Sequence, residues 1–152
     1  MQTSTPRQIW MATLAKAPAE QLEQCLAGLG NLPAYDLLRP AETGLAMVRG
    51  RAGGTGQAFN LGEMTMTRCV VQLAGSASDP PISGFSYVAG RSKRHAELAA
   101  LCDALLQHTN WHETVWANVI EPIQTALERQ RQQQTRQVEA TRVNFFTMVR
   151  GE

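Results

Sequence analysis

The chain has 152 residues, a mass of 16.7 kDa and a formal net charge of +1, a balance that does not favour nucleic acid or an anionic membrane as its partner. Its length is typical of one domain, so we expect residues 1–152 to fold as a single unit with its own core. Apolar residues make up 43% of the sequence, but no run of them approaches the ~20 residues of a membrane span.

Residues 7–30 are typical of two short helices. Ile9, Trp10 and Leu14 recur at helical spacing, which predicts a first helix with one apolar face. A second helix is predicted from apolar residues three and four apart, namely Leu22, Cys25, Leu26 and Leu29. Pro33 ends the helical pattern.

The central part of the sequence changes to the period of two that is typical of β-strands. It predicts three or four strands, at about residues 35–39, 43–51, 57–73 and 84–89. Gly62 lies inside the longest of them, where a glycine often marks a β-bulge. The pair Pro80-Pro81 predicts the turn before the last strand. Successive strands joined by turns indicate an antiparallel meander.

Helical spacing returns after Gly90. We expect one helix over about residues 92–107, a loop over His108–His112, and a long final helix over about residues 113–149, in which Pro122 is a candidate for a kink. The order of elements predicts an α+β fold. It consists of a small antiparallel sheet of three to four strands, two N-terminal helices, a helix after the sheet and a long C-terminal helix.

A cluster of glycines follows the predicted strand over residues 43–51. The segment Gly50-Arg-Ala-Gly-Gly-Thr-Gly56 holds four glycines in seven residues. It is not a Walker A loop, because no Gly-Lys-Ser/Thr follows, and it is not a dinucleotide fingerprint, because a strand comes next. Two interpretations stay open: a wide hairpin turn, or a mobile loop whose backbone amides approach an anion. Arg49 and Arg51 lie on one face of the incoming strand.

The helix predicted to begin near residue 92 starts with cations. Ser92 is a good N-cap, but Lys93, Arg94 and His95 follow it. The N-terminal end of a helix dipole favours negative charge, so each of these cations costs about a few tenths of a kcal/mol. An anion would relieve this cost, either a ligand phosphate or the carboxylates of a partner. Tolerated surface charge is the third interpretation.

Positive charge is concentrated in the sheet region. Residues 43–95 hold six basic and two acidic residues, a net +4 in a chain whose total is +1. We therefore predict one or two anion-facing or partner-facing patches near the glycine cluster. The candidate residues are Arg49, Arg51, Gly53, Gly54, Gly56, Arg68, Arg91, Arg94 and His95.

Other chemistry has weak support in the sequence. His108 and His112 stand four residues apart near Cys102, but a predicted loop and the lack of a third ligand argue against a metal site. We expect no metal and assign no catalytic nucleophile or base. Cys25, Cys69 and Cys102 are widely spaced without a CxxC motif, and the first residues form no signal-peptide pattern, so a cytoplasmic location is expected.

The C-terminal residues are apolar. Phe145, Phe146 and Met148 lie at the end of the predicted last helix, which would be about 55 Å long and longer than a domain of this size. Exposed aromatic residues at a chain end promote aggregation unless something covers them. We expect these three residues to dock on a partner.

Six segments, spread in order from end to end, carry a resemblance to a known family. They are Arg7-Gln-Ile-Trp10-Met11, Ala41-Glu-Thr-Gly44-Leu45, Arg49 through Gly56, Gly90-Arg91 with His95-Ala-Glu97, Asp103-Ala-Leu105, and Phe145-Phe-Thr-Met-Val-Arg-Gly151. Each segment alone is weak, but the set and the chain length together are specific. The chain resembles the G subunit of the bacterial carbon–phosphorus lyase core complex.

The resemblance implies a function and partners. Such subunits assemble with the H, I and J subunits, and the I subunit, thought to carry nucleosidase-like chemistry, is the expected direct neighbour. The complex replaces the adenine of ATP with a phosphonate, which makes α-D-ribose 1-methylphosphonate 5-triphosphate, and the G, H and L subunits are required for the full reaction. Iron–sulfur radical cleavage belongs to the J subunit. This chain is therefore expected to bind no cofactor itself, with ATP as a substrate of the complex.

Three roles stay open at this point. The chain lends arginine side chains to the triphosphate or the phosphonate, or it is a non-catalytic scaffold for its partners. Independently of the resemblance, it is a stand-alone nucleotide-binding protein. Under the first two roles the complex is a transferase and the isolated chain is expected to be inactive.

Overall fold

The fold is α+β, as the sequence predicts. A computed structural model describes residues 4–143. In chain order the elements are α1 (Pro6–Lys16), α2 (Ala19–Ala27), β1 (Tyr35–Arg51), β2 (Ala58–Leu73), β3 (Ile82–Ala89), α3 (Lys93–Gln107), α4 (Thr109–Val115) and α5 (Glu121–Ala140). The predicted docking residues Phe145, Phe146 and Met148 lie outside the described residues.

Helix α1 begins with a capping box. The Gln8 backbone N–H donates to Oγ1 of Thr5 over 3.4 Å, and the Thr5 backbone N–H donates to Oε1 of Gln8 over 2.8 Å. Pro6 occupies the first turn, where its missing N–H costs no hydrogen bond. Both helices predicted within residues 7–30 are confirmed.

The sheet is a three-stranded antiparallel meander in the order β1-β2-β3. The strands predicted at residues 35–39 and 43–51 are one continuous strand, β1, which corrects the sequence prediction. Register shifts between Leu37 and Glu42 interrupt the alternation of side chains between the two faces of β1 around Pro40. Pairing with β2 continues before and after these shifts. A further shift opposite Leu61 and Gly62 confirms the predicted bulge.

Strand β3 is shorter than its neighbours. Its pairing with β2 ends at Met66 opposite Ala89, whereas β1 and β2 stay paired as far as Arg51 opposite Ala58. Residues 45–65 therefore form a two-stranded hairpin that projects beyond the three-stranded part of the sheet. We call this segment the arm.

The helices cover one face of the sheet. Helix α3 packs on it, and the Ser86 hydroxyl on β3 donates a hydrogen bond to the backbone oxygen of Ala96 on α3. The opposite face leaves Leu38, Phe85 and Tyr87 exposed. One sheet face thus belongs to the core and the other is a surface.

A buried carboxylate links three elements. Asp103 on α3 is fully buried and accepts hydrogen bonds from the guanidinium of Arg7 over 2.8 and 3.2 Å. It also accepts the indole N–H of Trp10 over 2.9 Å and the backbone N–H of Phe85 over 2.9 Å. The hydrogen bond with Asp103 raises the pKa of Arg7. The sequence analysis did not find this network, because its members are distant in the chain.

The C-terminal helices differ from the prediction at their start. The loop expected over His108–His112 is wrong: α4 begins at Thr109, with His108 as its N-cap, and Nδ1 of His108 accepts the Asn110 N–H over 3.2 Å. A π-helical turn over Trp116–Ile120 joins α4 to α5. Its cause is Pro122, whose ring clashes with the carbonyl four residues earlier in a regular α-helix.

A long C-terminal helix is confirmed as far as Ala140, where α5 ends. All side chains from Glu128 to Ala140 are exposed. The exposed end of α5 therefore contributes little to the core of this chain.

Candidate functional site

The glycine cluster forms the turn at the tip of the arm. Ala52–Gly54 is a 3₁₀ turn between β1 and β2, and the Gly56 N–H donates to the Ala52 carbonyl over 3.3 Å. Gly53 and Gly54 have φ angles of 60° and 77°, which favour glycine because it lacks a Cβ. The hairpin-turn interpretation is confirmed, and anion binding by this loop stays a prediction.

Arg49 and Arg51 lie beside this turn. They are two residues apart on β1, so they share the face of the arm that carries Leu45 and Met47. Both arginines are exposed. Within residues 4–143 neither takes part in an ion pair. The tip of the arm thus presents two guanidinium groups without an internal counter-charge.

Two other candidate arginines are paired inside the chain. Nε of Arg68 lies 2.6 Å from Oε1 of Glu42. Arg94 donates to Oε1 of Glu23 over 3.0 Å, and its Nη1 lies 3.7 Å from Oε1 of Glu97. The hydrogen bond with Glu23 raises the pKa of Arg94. These acids lie outside residues 43–95, so the local excess of positive charge is partly neutralised by the fold.

A second cationic group lies at the root of the arm. Arg91 and Lys93 line an open cleft together with Thr43, Leu45 and Thr65. Neither cation forms an ion pair in the described part of the chain. Arg51 lies six residues beyond Leu45 along β1, about 20 Å at strand spacing. The structure therefore divides the predicted basic residues between the tip and the root of the arm.

His95 does not face solvent, which corrects its assignment to an anion-facing patch. It is 8% exposed, and its Nε2 lies 2.8 Å from the backbone oxygen of Leu14. Its backbone N–H is capped by the Ser92 hydroxyl over 3.2 Å, as predicted for that N-cap. The side chain belongs to the apolar face of α3, where it joins α3 to α1.

The sequence analysis missed an apolar surface on the arm. Directly opposed residues of β1 and β2 share a face, and on one face of the arm every side chain is small or apolar. We call this surface the arm apolar face: Ala46, Val48 and Gly50 on β1, and Phe59, Leu61, Gly62 and Met64 on β2. Leu61 is 63% exposed. The signal was present in the sequence as small residues at alternate positions of β1.

Covalent chemistry finds little support in this arrangement. Cys69 and Cys102 are buried, and burial raises the pKa of both thiols. Residues 4–143 contain no group of three histidine, cysteine, aspartate or glutamate side chains placed to hold a metal ion. What the arm and its root offer is binding, through Arg49, Arg51, Arg91 and Lys93, which are unpaired within the described residues, and through an apolar strip. In the same residues, no helix is both long and apolar enough to cross a bilayer.

Comparison with known proteins supports the resemblance seen in the sequence. A family model for the phosphonate metabolism protein PhnG matches residues 5–151. A protein of Rhizobium meliloti (strain 1021) is 38% identical over 142 residues, which cover 93% of this chain and 87% of that protein. It is the alpha-D-ribose 1-methylphosphonate 5-triphosphate synthase subunit PhnG.

Proposed function

The chain belongs to the PhnG family of phosphonate metabolism proteins, and from this membership we propose that it is a subunit of a synthase of α-D-ribose 1-methylphosphonate 5-triphosphate. The observation that carries the proposal is the relative of that name, which aligns over almost the whole chain. The substrates of the complex would be ATP and methylphosphonate, and the class of reaction is group transfer.

The reaction brings two anions together. The phosphonate replaces adenine at C1 of the ribose while the triphosphate remains on C5. Cationic side chains reduce the repulsion between the two groups and hold them in position. Arg91 and Lys93, at the root of the arm, suit this task, because neither forms an ion pair within residues 4–143. The chain itself binds no cofactor under this proposal, and ATP is a substrate of the complex.

The partners are the H, I and J subunits of the carbon–phosphorus lyase core complex, and the I subunit is the direct neighbour. The assembly works in the cytoplasm. We expect the isolated chain to be inactive, because the described residues contain no metal-binding group and burial raises the pKa of the Cys102 thiol, which disfavours its reactive thiolate.

A second role is favoured by a specific observation. Arg68 and Arg94 are paired within the chain, and the arm exposes the apolar side chains of Leu45, Phe59 and Leu61. Both features suit a non-catalytic scaffold that assembles and stabilises its partners.

Omission of this chain from a reconstituted complex tests the proposal. Purified H, I, J and L subunits are incubated with ATP and methylphosphonate, with and without the chain. Adenine release is followed by liquid chromatography and the product by ³¹P NMR. We expect product only when the chain is present, and none from the chain alone. Equal product formation without the chain, or turnover by the chain alone, would contradict the proposal.

Arginine variants separate the two roles. The variant R91Q removes a cation at the root of the arm, and R68Q is the matched control because Arg68 is already paired with Glu42. If this arginine acts on substrate, R91Q assembles normally but loses product formation at least tenfold. If the chain is a scaffold only, the test variant and the control both retain activity whenever they assemble into the complex.

A further inference from the structure

We propose that the arm inserts into a cleft of another subunit, with apolar walls and with carboxylates near its closed end. This inference rests on the proposed function, because it assigns the surface through which the chain joins its complex. It concerns residues 45–65, which project beyond β3.

Within residues 4–143 the arm is held at its root, where the Gly90 N–H donates to the Thr65 carbonyl over 2.9 Å, and no third strand pairs with it beyond that point. A two-stranded hairpin is marginally stable by itself in water. β1 and β2 remain paired for about seven residues each beyond the end of β3, roughly 23 Å at strand spacing. In the described part of the chain no further strand pairs with either long edge of the arm, and natural proteins usually cover or blunt such edges. A segment of this kind is expected to be covered in the functional assembly.

Apolar side chains are exposed on both faces of the arm. Leu45 and Met47 are 68% and 51% exposed on one face, while Phe59, Leu61 and Met64 are exposed on the other. Exposed apolar surface that is contiguous in this way marks a contact site. Because exposed apolar side chains lie on both faces, we expect the occupant to enclose the arm rather than lie against one side of it.

The arm apolar face indicates the chemistry of the cleft wall that contacts it. It carries no charged side chain, and its two strands pack on each other: a Cβ at Gly50 would lie 2.7 Å from Cδ1 of Leu61. The absence of a Cβ lets Leu61 lie across Gly50 as a low apolar ridge. An opposing wall of apolar side chains fits this ridge without burying an unpaired charge.

The charges at the tip define the closed end of the cleft. Arg49 and Arg51 have no ion pair within the described residues, and Glu63, the single acidic residue of the arm, lies opposite Met47. Burial of guanidinium groups requires partners that accept hydrogen bonds, and carboxylates accept them in bidentate geometry. The carboxylates must therefore come from the protein that encloses the tip.

A second copy of this chain fits less well. Two arms stacked by a two-fold axis would each cover one face only, with a footprint of about 23 by 10 Å. The total buried area would be on the order of 500 Å², well below the range of stable interfaces. The copy would also leave Leu45, Met47 and both tip arginines in solvent. Enclosure by a cleft covers both faces and pairs the arginines.

The test uses the full chain with the purified H, I and J subunits. The variant L45E/L61E places one carboxylate on each face of the arm, at side chains that are largely exposed in the chain itself. Two controls match it: L45M/L61M keeps both positions apolar, and I9E adds an acidic residue on α1, away from the arm. Binding is measured by co-purification and by titration calorimetry.

We expect L45E/L61E to weaken binding to the partners at least tenfold, with L45M/L61M and I9E unchanged. The thermal unfolding midpoint of the isolated chain should stay the same in all three. A second variant replaces residues 47–63 by an Asn-Gly turn, which shortens the hairpin and leaves the three-stranded sheet intact. It should fold and fail to bind.

Three results would overturn the proposal. Unchanged binding of L45E/L61E or of the shortened chain would show that the arm is not a docking element. A dimer of the isolated chain that L61E dissociates in sedimentation would make a second copy the occupant. A lower unfolding midpoint of L45E/L61E in the isolated chain would show that a segment of the same chain covers the arm.

The readouts keep this inference separate from the proposed function. If the chain binds its partners through the arm but product formation does not depend on the chain, the proposed function is wrong and the docking surface is confirmed. If product formation depends on the chain but L45E/L61E binds normally, the function stands and the arm inference is wrong.

Discussion

Gly84 on β3 lies directly against Ala104 on α3: a Cβ at Gly84 would lie 2.8 Å from the Cβ of Ala104 and 2.7 Å from its backbone nitrogen. This contact lets α3 approach the sheet closely. We expect G84A to lower the free energy of unfolding by about 3 kcal/mol, because the obstacle is backbone that cannot move aside. Urea unfolding measures the loss.

Gly44 provides the matched control for that substitution. It also lies in a strand, on β1, but nothing lies within 4 Å of a Cβ placed there. We expect G44A to change the free energy of unfolding by less than about 0.5 kcal/mol. Equal effects of the two variants would show that β3 and α3 are not in close contact.

The buried carboxylate of Asp103 is expected to be the most sensitive polar group of the described chain. Its removal in D103A leaves the Trp10 indole and the Phe85 N–H without an acceptor in the core. We expect a loss of about 3–5 kcal/mol in urea unfolding. R7Q should cost only about 1 kcal/mol, since the Arg7 side chain is partly exposed and Asp103 keeps its other donors. A loss below about 1 kcal/mol in D103A would argue against the network.

The three cysteines should differ in reactivity. Burial raises the pKa of Cys25, Cys69 and Cys102, and Cys25 is the only one of them that is partly exposed. A raised pKa lowers the thiolate fraction at a given pH, and the thiolate is the reactive form. We therefore expect iodoacetamide to label Cys25 first. The labelling rate of Cys25 should still rise with pH in the range where the labelling rate of a free cysteine no longer changes.

Mass spectrometry of the labelled chain follows this reaction site by site. Cys69 and Cys102 should react only after unfolding in urea, which serves as the control. Labelling of Cys102 in the folded chain as fast as Cys25 would contradict its buried position.

The exposed end of α5 should be dispensable for folding but not for assembly. Truncation after Gln134 removes only exposed residues from the described part of the chain, so we expect the unfolding midpoint to change by less than about 2 °C. It also removes Phe145, Phe146 and Met148, which we predict to dock on a partner. Affinity for the H, I and J subunits should therefore fall.

The full-length variant F145A/F146A identifies the cause of that loss. If it binds as weakly as the truncated chain, the aromatic residues carry the contact. If the truncated chain enters the complex with full affinity, the C-terminal segment is not an assembly element.

The regular elements of this fold could be predicted because apolar side chains recur along them at an uninterrupted helical or strand spacing. The helix expected at residues 92–107 and the strand expected at 57–73 differ from α3 and β2 by a single residue at the start. The split of β1 into two strands was wrong because Pro40 and the nearby register shifts interrupt the alternation, while pairing with β2 is a non-local property. The start of α4 was missed because histidine is not among the usual N-caps.

Sequence spacing could not reveal how the charges of the site are paired. Arg68 and Glu42 are 26 residues apart, and Arg94 and Glu23 are 71 residues apart. A count of charges within one segment treats both arginines as free, although the fold brings a carboxylate to each. His95 was misassigned for a related reason, since the turn of α3 that carries it faces α1 and not solvent.

The π-helical turn between α4 and α5 sets the angular phase of the exposed helix end. Its Glu121 N–H reaches back five residues to the Trp116 carbonyl, so the turn holds one residue more than a regular α-helical turn. Each residue of an α-helix advances the azimuth by about 100°. Deletion of one residue from Trp116–Ile120 would restore a regular ladder and leave Leu127 close to its present azimuth relative to α4, whereas deletion of one residue from the regular part of α5 would rotate all that follows by about 100°. The wide turn thus absorbs one extra residue and preserves the side of α5 that is offered to a neighbour.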